Sequence, residues 1–418
     1  MKTFFSAPMI RNNLNAHRLF GVATAALLYL VCLSGTITVF FEELDRWEQS
    51  DVQEYHEFSP ELASAAIQEY QQRLQRTPES IYIVLPTRDF PRTHITDGAD
   101  EWYLNQDGRF AQQPNVPWTE MIKTLHTNLH LPHLLGMTIV GFSGVFIVAL
   151  IFSGVVAHPT IFRDAFLLRK NKSYRQQQTD WHNRLSVWLL PFHLMIAITG
   201  AFIGLSSVII GATATAYYDG DQQAAIEAVY GSDPEVTSSS SDVDYVAAFA
   251  NLKQQVPEAE PIYLVIHQAG QPQQLLEIAA RLPGRFTYSE MYRFDADGQL
   301  INNQGLASGP AGRQLAYSTY RIHFGHFAGL PVKILYGVMG LSLTLVCVFG
   351  INIWFARRGE RGAIAAAWQG WIWGIPAMIL VCYPLSLLEA PLVLCFWSGL
   401  AVIMLVSVIR NTKIATTV

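Results

Sequence analysis

Hydrophobic and polar positions along the chain fall into two kinds of segment. Six apolar runs, roughly Leu19 to Phe41, Leu134 to Ala157, Leu185 to Gly211, Leu330 to Phe355, Trp371 to Leu388 and Ala390 to Ile409, are near the ~20 residues that a helix needs to cross a hydrocarbon core of ~30 Å. The fifth is short and interrupted by Pro376 and Pro384. Two long connections have a different rhythm. In the first, "SPELASAAIQEYQQRLQR" has helical periodicity, "SIYIVLPT" alternates like a strand, and "EWYLNQDGRF" reads as a strand ending in an Asp-Gly turn. The second repeats that order with "DYVAAFANLKQQV", "PIYLVIH" and "EMYRFDADGQLI". The predicted fold class is therefore a polytopic α-helical membrane protein of about six spans, carrying two small α+β modules and an internal two-fold repeat.

The segments divide as 1–41 (N-terminus and first span), 42–133 (first module and an interfacial helix), 134–157, 158–184 (loop), 185–211, 212–329 (second module), 330–355, 356–370 (loop), 371–409 (spans five and six) and 410–418 (tail). The first apolar run exceeds the ~7–15 residues of a signal core, so a retained anchor is expected. "GSDPEVTSSSSD" reads as a polar linker.

Composition agrees with the membrane class: half of the 418 residues are hydrophobic and 15% are charged. Basic residues gather in the N-terminus, in the loop after span two (Arg163, Arg169, Lys170, Lys172, Arg175, Arg184), after span four and at the end of the chain. Those segments are expected to be cytoplasmic. The long connections then lie outside, and they hold most of the acids behind the net charge of −5. No nucleic-acid partner is expected. All four cysteines fall inside spans, and there is no CxxCH, GxGxxG or P-loop motif, which excludes covalent haem attachment and a nucleotide-binding loop.

The repeat singles out histidines. Gly35 stands eighteen residues after His17, and Gly200 eighteen after His182; likewise His126 leads into span two and Gly154, as His323 leads into span four and Gly350. His17 and His182 open their spans on the cytoplasmic side, His126 and His323 on the exported side. Two neutral imidazoles from separate helices supply the axial ligands of a b-type haem, so one haem per face, two in all, is expected. Arg18, Arg184, Lys123 and Arg321 lie beside these histidines in sequence and are the expected propionate partners. His130, one turn from His126, His158, at the inner end of span two, and His193, in mid-span, are secondary candidates. His56, His94 and His267 are expected to face solvent.

The ordered set "NAHRLFG", "LHTNLHLP", "DWHNRL…TG" and "YRIHFGHFAG…WFARR", with αβ modules between, resembles the PepSY-associated transmembrane family over residues 12 to 358. Ser186, where a Gly is common, and the last two spans depart from that pattern. The resemblance implies a bacterial inner-membrane protein with periplasmic PepSY-like modules. It further implies haem held by His17, His126, His182 and His323, and electrons passed outward to a ferric siderophore. With no nucleotide site, the electron donor would be a quinol or a separate reductase. A competing class is a non-enzymatic membrane protein whose exported modules bind or inhibit a periplasmic partner. A transporter is disfavoured by the few charges within the spans.

Overall fold

The computed structural model describes residues 5–74, 76, 78–166, 173–232, 243–271, 274–359 and 362–416. In chain order the helices and strands are α1 (Ala7–Thr38), α2 (Phe41–Glu48), α3 (Ala63–Arg73), β1 (Ser80–Val84), β2 (Thr93–Thr96) and β3 (Glu101–Leu104). Then come α4 (Pro117–Asn128), α5 (His133–Ala157), α6 (Ile161–Asp164), α7 (Tyr174–Trp188), α8 (Leu190–Gly204), α9 (Ser206–Tyr217), α10 (Gln222–Tyr230) and α11 (Tyr245–Gln255). The chain continues through β4 (Glu260–His267), β5 (Leu275–Arg281), β6 (Glu290–Phe294), β7 (Leu300–Asn303), α12 (Ala311–Phe324), α13 (Leu330–Arg358), α14 (Ala363–Ser386) and α15 (Leu392–Thr416). Most of the Ser-rich linker, and Arg169, Lys170 and Lys172, lie outside the described residues.

Two compact units result: Met1–Phe41 with Pro117–Val208 and Leu330–Val418, and Glu42–Val116 with Ile209–Gly329. In the first, α1, α5, α13, α14 and α15 are each long and apolar enough to span a membrane, and α7 with α8, bent by 71° at a short break, pass that test only together, as a broken span or a re-entrant loop. The predicted straight third span is thus broken, at Leu189. Pro191 stands in the first turn of α8, where it has no N–H to give the preceding turn and its ring crowds it. His182 consequently lies on α7, inside the bent span.

α1 packs on α5 and α13, α5 on α8, and α13 on α7. Small residues let these helices approach: a Cβ on Gly141 would come within 2.7 Å of the Gly204 backbone, and one on Gly144 within 2.6 Å of the Ala197 carbonyl. α14 and α15 form a hairpin docked on the first half of the bundle. It is fastened by side-chain donors suited to a medium without water: Tyr29 to the Ile372 carbonyl at 2.6 Å, Trp118 to Ile379 at 2.7 Å, and Trp371 to Ala26 at 3.2 Å.

In the second unit the strands predicted as two modules form one seven-stranded sheet, in the order β3-β2-β1-β4-β5-β6-β7. β1 and β4, the leading strands of the two sequence modules, pair antiparallel with Ile81 opposite Ile266 and Ile83 opposite Leu264. Either module alone would leave that strand's main-chain groups unpaired on an edge, and joining them removes both edges. Helices α3 and α11 cover one face, where Ala66, Ile67, Tyr70, Ala248 and Leu252 pack on Ile81, Ile83, Leu264, Ile266 and Ile278. Among the aromatic residues of this unit, Tyr103 and Tyr292 are buried core.

Candidate functional site

Three of the four histidines singled out by the repeat sit in the first unit, each in the same local setting. His17 on α1 places Nδ1 3.0 Å from the Leu150 carbonyl of α5. His182 on α7 places Nδ1 2.9 Å from the Val346 carbonyl of α13, and His126 on α4 places Nδ1 3.0 Å from the Val31 carbonyl of α1. In each case a glycine follows four residues after the carbonyl: Gly154, Gly350 and Gly35.

The reason is geometric. A helical carbonyl at i points toward residue i+4 and keeps a second lone pair beyond its intrahelical bond. A side chain at i+4 would cover that lone pair; glycine leaves it open. A Cβ added at Gly154 would meet His17 Cε1 at 3.2 Å, at Gly350 His182 Cε1 at 3.3 Å, and at Gly35 His126 Cε1 at 2.5 Å. Carbonyl oxygens only accept, so Nδ1 carries the proton in all three rings. For His17 and His182 the acceptor lone pair is then on Nε2, the arrangement in which a neutral imidazole ligates metal with a fixed tautomer and raised basicity.

The bent span brings two of these rings together. The His17 and His182 ring centroids are 6.2 Å apart, with planes at 76°. Two metal–imidazole bonds of ~2 Å laid end to end, with the inner half of each ring, come to about the same length. Among the described residues no cluster of three or more His, Cys, Asp or Glu side chains is placed to hold a metal ion. His17 and His182 are two imidazole donors from separate helices, and they would suit a group such as haem b that takes two imidazoles from the protein.

The two rings differ in their surroundings. His17 Nδ1 also lies 3.2 Å from Ser153 Oγ, whose own proton goes to the Leu150 carbonyl. At the matching position of α13 stands Phe349, stacked on Trp181 beside His182.

The other sequence candidates are placed differently. His323 lies on α12 in the second unit, against Phe324. Both ring nitrogens of His130 are engaged, Nε2 with the Met121 carbonyl at 2.7 Å and Nδ1 with the Trp397 indole N–H at 3.0 Å, leaving no lone pair for a metal. His193 is buried and donates through Nε2 to Ser342 Oγ at 3.1 Å. His158 holds Thr160 and approaches Asp164.

The expected propionate partners have other engagements. Lys123 pairs with Glu120 at 2.6 Å, Arg18 is exposed beside Asn15, Arg184 lies over Trp181, and Arg321 donates to the carbonyls of His326, Arg285 and Thr287. Lys333, in the first turn of α13, is a fully buried cation that hydropathy passed over. In the second unit, His94 is not solvent-facing, and His267 is only partly so. His94 is enclosed by Phe90 and Tyr103, and burial lowers its pKa to about 4; His267 bridges Ser80 and Glu277.

Residues 14–357 match the sequence model of the PepSY-associated TM region. A curated relative from Pseudomonas aeruginosa, described as "Uncharacterized protein PA4219", is 24% identical over 258 residues, 59% of this chain and 65% of the relative, slightly under two thirds of its length. With the match covering most of its length, including α1, α5, the α7–α8 pair, α13 and the sheet unit, the chain belongs to the PepSY-associated TM family.

Proposed function

We propose that the protein is a haem-containing electron conduit of the bacterial inner membrane that reduces ferric siderophore in the periplasm. The observation that carries this reading is the His17–His182 pair, at a separation suited to bis-imidazole ligation with both Nδ1 atoms tied back. Haem bound there would supply one-electron chemistry within the membrane. A second haem would draw one ligand from His126, which has the same carbonyl-and-glycine setting.

The chain's own part is to fix ring orientation, keep each imidazole neutral and exclude water. The Leu150 and Val346 carbonyls hold the rings against rotation. The apolar cluster of Leu28, Ile147, Ala197 and Leu343 fills the bundle core. A quinol or a separate reductase would donate on the cytoplasmic side. Lowering Fe(III) to Fe(II) weakens its hold on hard oxygen ligands, so one electron promotes iron release.

The test is the reduced-minus-oxidised spectrum of purified protein. A bis-imidazole α band lost in His17→Ala and in His182→Ala supports the reading. Protein that stays colourless after reconstitution with haem overturns it and favours a module that binds a periplasmic partner.

A further inference from the structure

A third imidazole stands at the end of the bundle that holds His17. His158 caps α5, and its backbone N–H donates at 3.1 Å to the carbonyl of Gly154, the glycine against which the His17 ring rests. One turn of helix separates the two positions, about 6 Å along the axis at 1.5 Å per residue.

The polar partners of His158 prepare it to take a proton. Thr160 Oγ1 donates to Asp164 Oδ2 at 2.8 Å, so it accepts from His158 Nδ1, 3.3 Å away. With Nδ1 protonated, the acceptor lone pair is on Nε2. That atom lies 3.7 Å from Asp164 Oδ2, too far for a hydrogen bond and near enough to pair with an imidazolium. Asp164 is fixed in turn by Arg163 Nε at 2.9 Å. The His158 side chain is 36% exposed, which gives its proton a way out to water.

The same short segment presents an apolar face. Ile161 and Ala165 pack on Val187 of α7, and beside them the rings of Phe166 and Trp188 meet at 5.9 Å. Phe162, Phe166 and Trp188 are 54%, 68% and 49% exposed. A donor that is itself apolar, and that gives up protons together with electrons, matches both features. A reduced nucleotide matches neither, and the chain has no GxGxxG or P-loop to hold one.

We propose that residues 158–166 and Trp188 form the site at which a membrane quinol is oxidised, with His158 accepting its protons. This rests on the haem reading, which supplies the oxidant. In the first step one quinol O–H bond breaks: the proton goes to His158 Nε2, and the electron goes to ferric haem held by His17 and His182. The imidazolium pairs with Asp164 and then releases its proton to water. Once the electron has moved on, the second hydroxyl reacts in the same way, so quinone, two protons and two electrons leave the site. Thr160 and Asp164 are positioning residues that hold the ring with Nε2 available.

The test uses full-length protein in detergent. A photoreactive azidoquinone, with labelled peptides read by mass, should mark residues 158–166 or the end of α7 in haem-loaded and haem-free protein alike, and excess decylubiquinone should suppress the label. His158→Gln should keep that labelling and the dithionite-reduced spectrum, while reduction by decylubiquinol slows by ~10²-fold, the lower end of what a positioned base contributes. His56→Gln, exposed in the sheet unit, is the control and leaves the rate unaltered. Faster reduction by decylubiquinol than by menadiol marks a benzoquinol as the donor, and the reverse a naphthoquinol; reduction by neither overturns the proposal. Labelling confined to other segments, or a His158→Gln variant reduced by quinol at the wild-type rate, also overturns it. Colourless protein that still labels at 158–166 removes the haem reading and supports the quinone site, so the two failures are distinct.

Discussion

His126 rests against Gly35, its Cε1 only 2.5 Å from where a Cβ on that glycine would stand, while its Nδ1 donates to the Val31 carbonyl one turn earlier. The same contact is looser at Gly154 with His17, 3.2 Å, and at Gly350 with His182, 3.3 Å.

That gradation predicts graded damage. Gly35→Ala should displace the His126 ring and lower haem occupancy at its site, because a contact of that length forces the ring or the helix to move. Gly154→Ala requires a shift of only a few tenths of an ångström, and should retain haem with an altered low-spin electron paramagnetic resonance signal. Haem titration of both variants checks this; equal occupancy in the two would contradict it.

Ser153 distinguishes His17 from His182. Its hydroxyl is a second acceptor for the His17 Nδ1–H, and acceptors there make the imidazole a stronger donor to iron. Ser153→Ala should move the midpoint potential of that centre to a more positive value with the α band intact. Spectroelectrochemical titration reads the shift, and an unmoved potential would show the hydroxyl to be structural only.

His130 is assigned to packing. It sits in the left-handed region with φ 57°, and its ring joins the Met121 carbonyl to Trp397 of α15. His130→Ala should leave the haem spectrum untouched and cost about 1–3 kcal/mol through the orphaned indole N–H. Trp397→Phe, which keeps an aromatic ring, should cost less. Thermal melting in detergent ranks the pair; loss of the α band in His130→Ala would return this residue to the list of ligands.

Glu277 gives the sheet unit an acid limb. Burial by itself would raise its pKa, but His267 at 3.1 Å and Arg293 at 2.7 Å donate to the carboxylate and together hold it below the ordinary glutamate value. A lowered folded value means stabilisation that is complete above the ordinary glutamate range and is lost as pH falls through the folded value. Glu277→Gln should remove this component of the acid transition. At neutral pH it should also cost about 3 kcal/mol, since Arg293, 3% exposed, loses its charged partner. Infrared amide I melting between neutral and acid pH follows the sheet, and an identical acid limb in the variant would count against the assignment.

Much of the architecture was legible along the chain because it depends on local periodicity. Apolar length marks a span and alternation marks a strand, so β1, β3, β4 and β6 emerged, whereas four-residue β2, with the pattern Thr-His-Ile-Thr, carries too little signal. β5, whose first six residues are all buried, reads "LLEIAAR" and lacks alternation. Spacing between histidines and glycines also marked three rings that share one setting, since the glycines that clear His17, His126 and His182 recur at fixed distances. It did not mark His130 as spoken for, because Trp397 lies on α15, far along the chain.

By itself, then, the sequence determined a membrane protein with a doubled His-and-Gly pattern, because turn-to-turn periodicity is written in neighbouring residues. Only the tertiary structure decided that two sets of strands share one sheet, that the His182 ring lies with its centroid 6.2 Å from that of His17, and that Trp397 occupies His130. Such pairings depend on close approach between helices and on unpaired strand edges, and those are properties of packed surfaces to which no single stretch of chain has access.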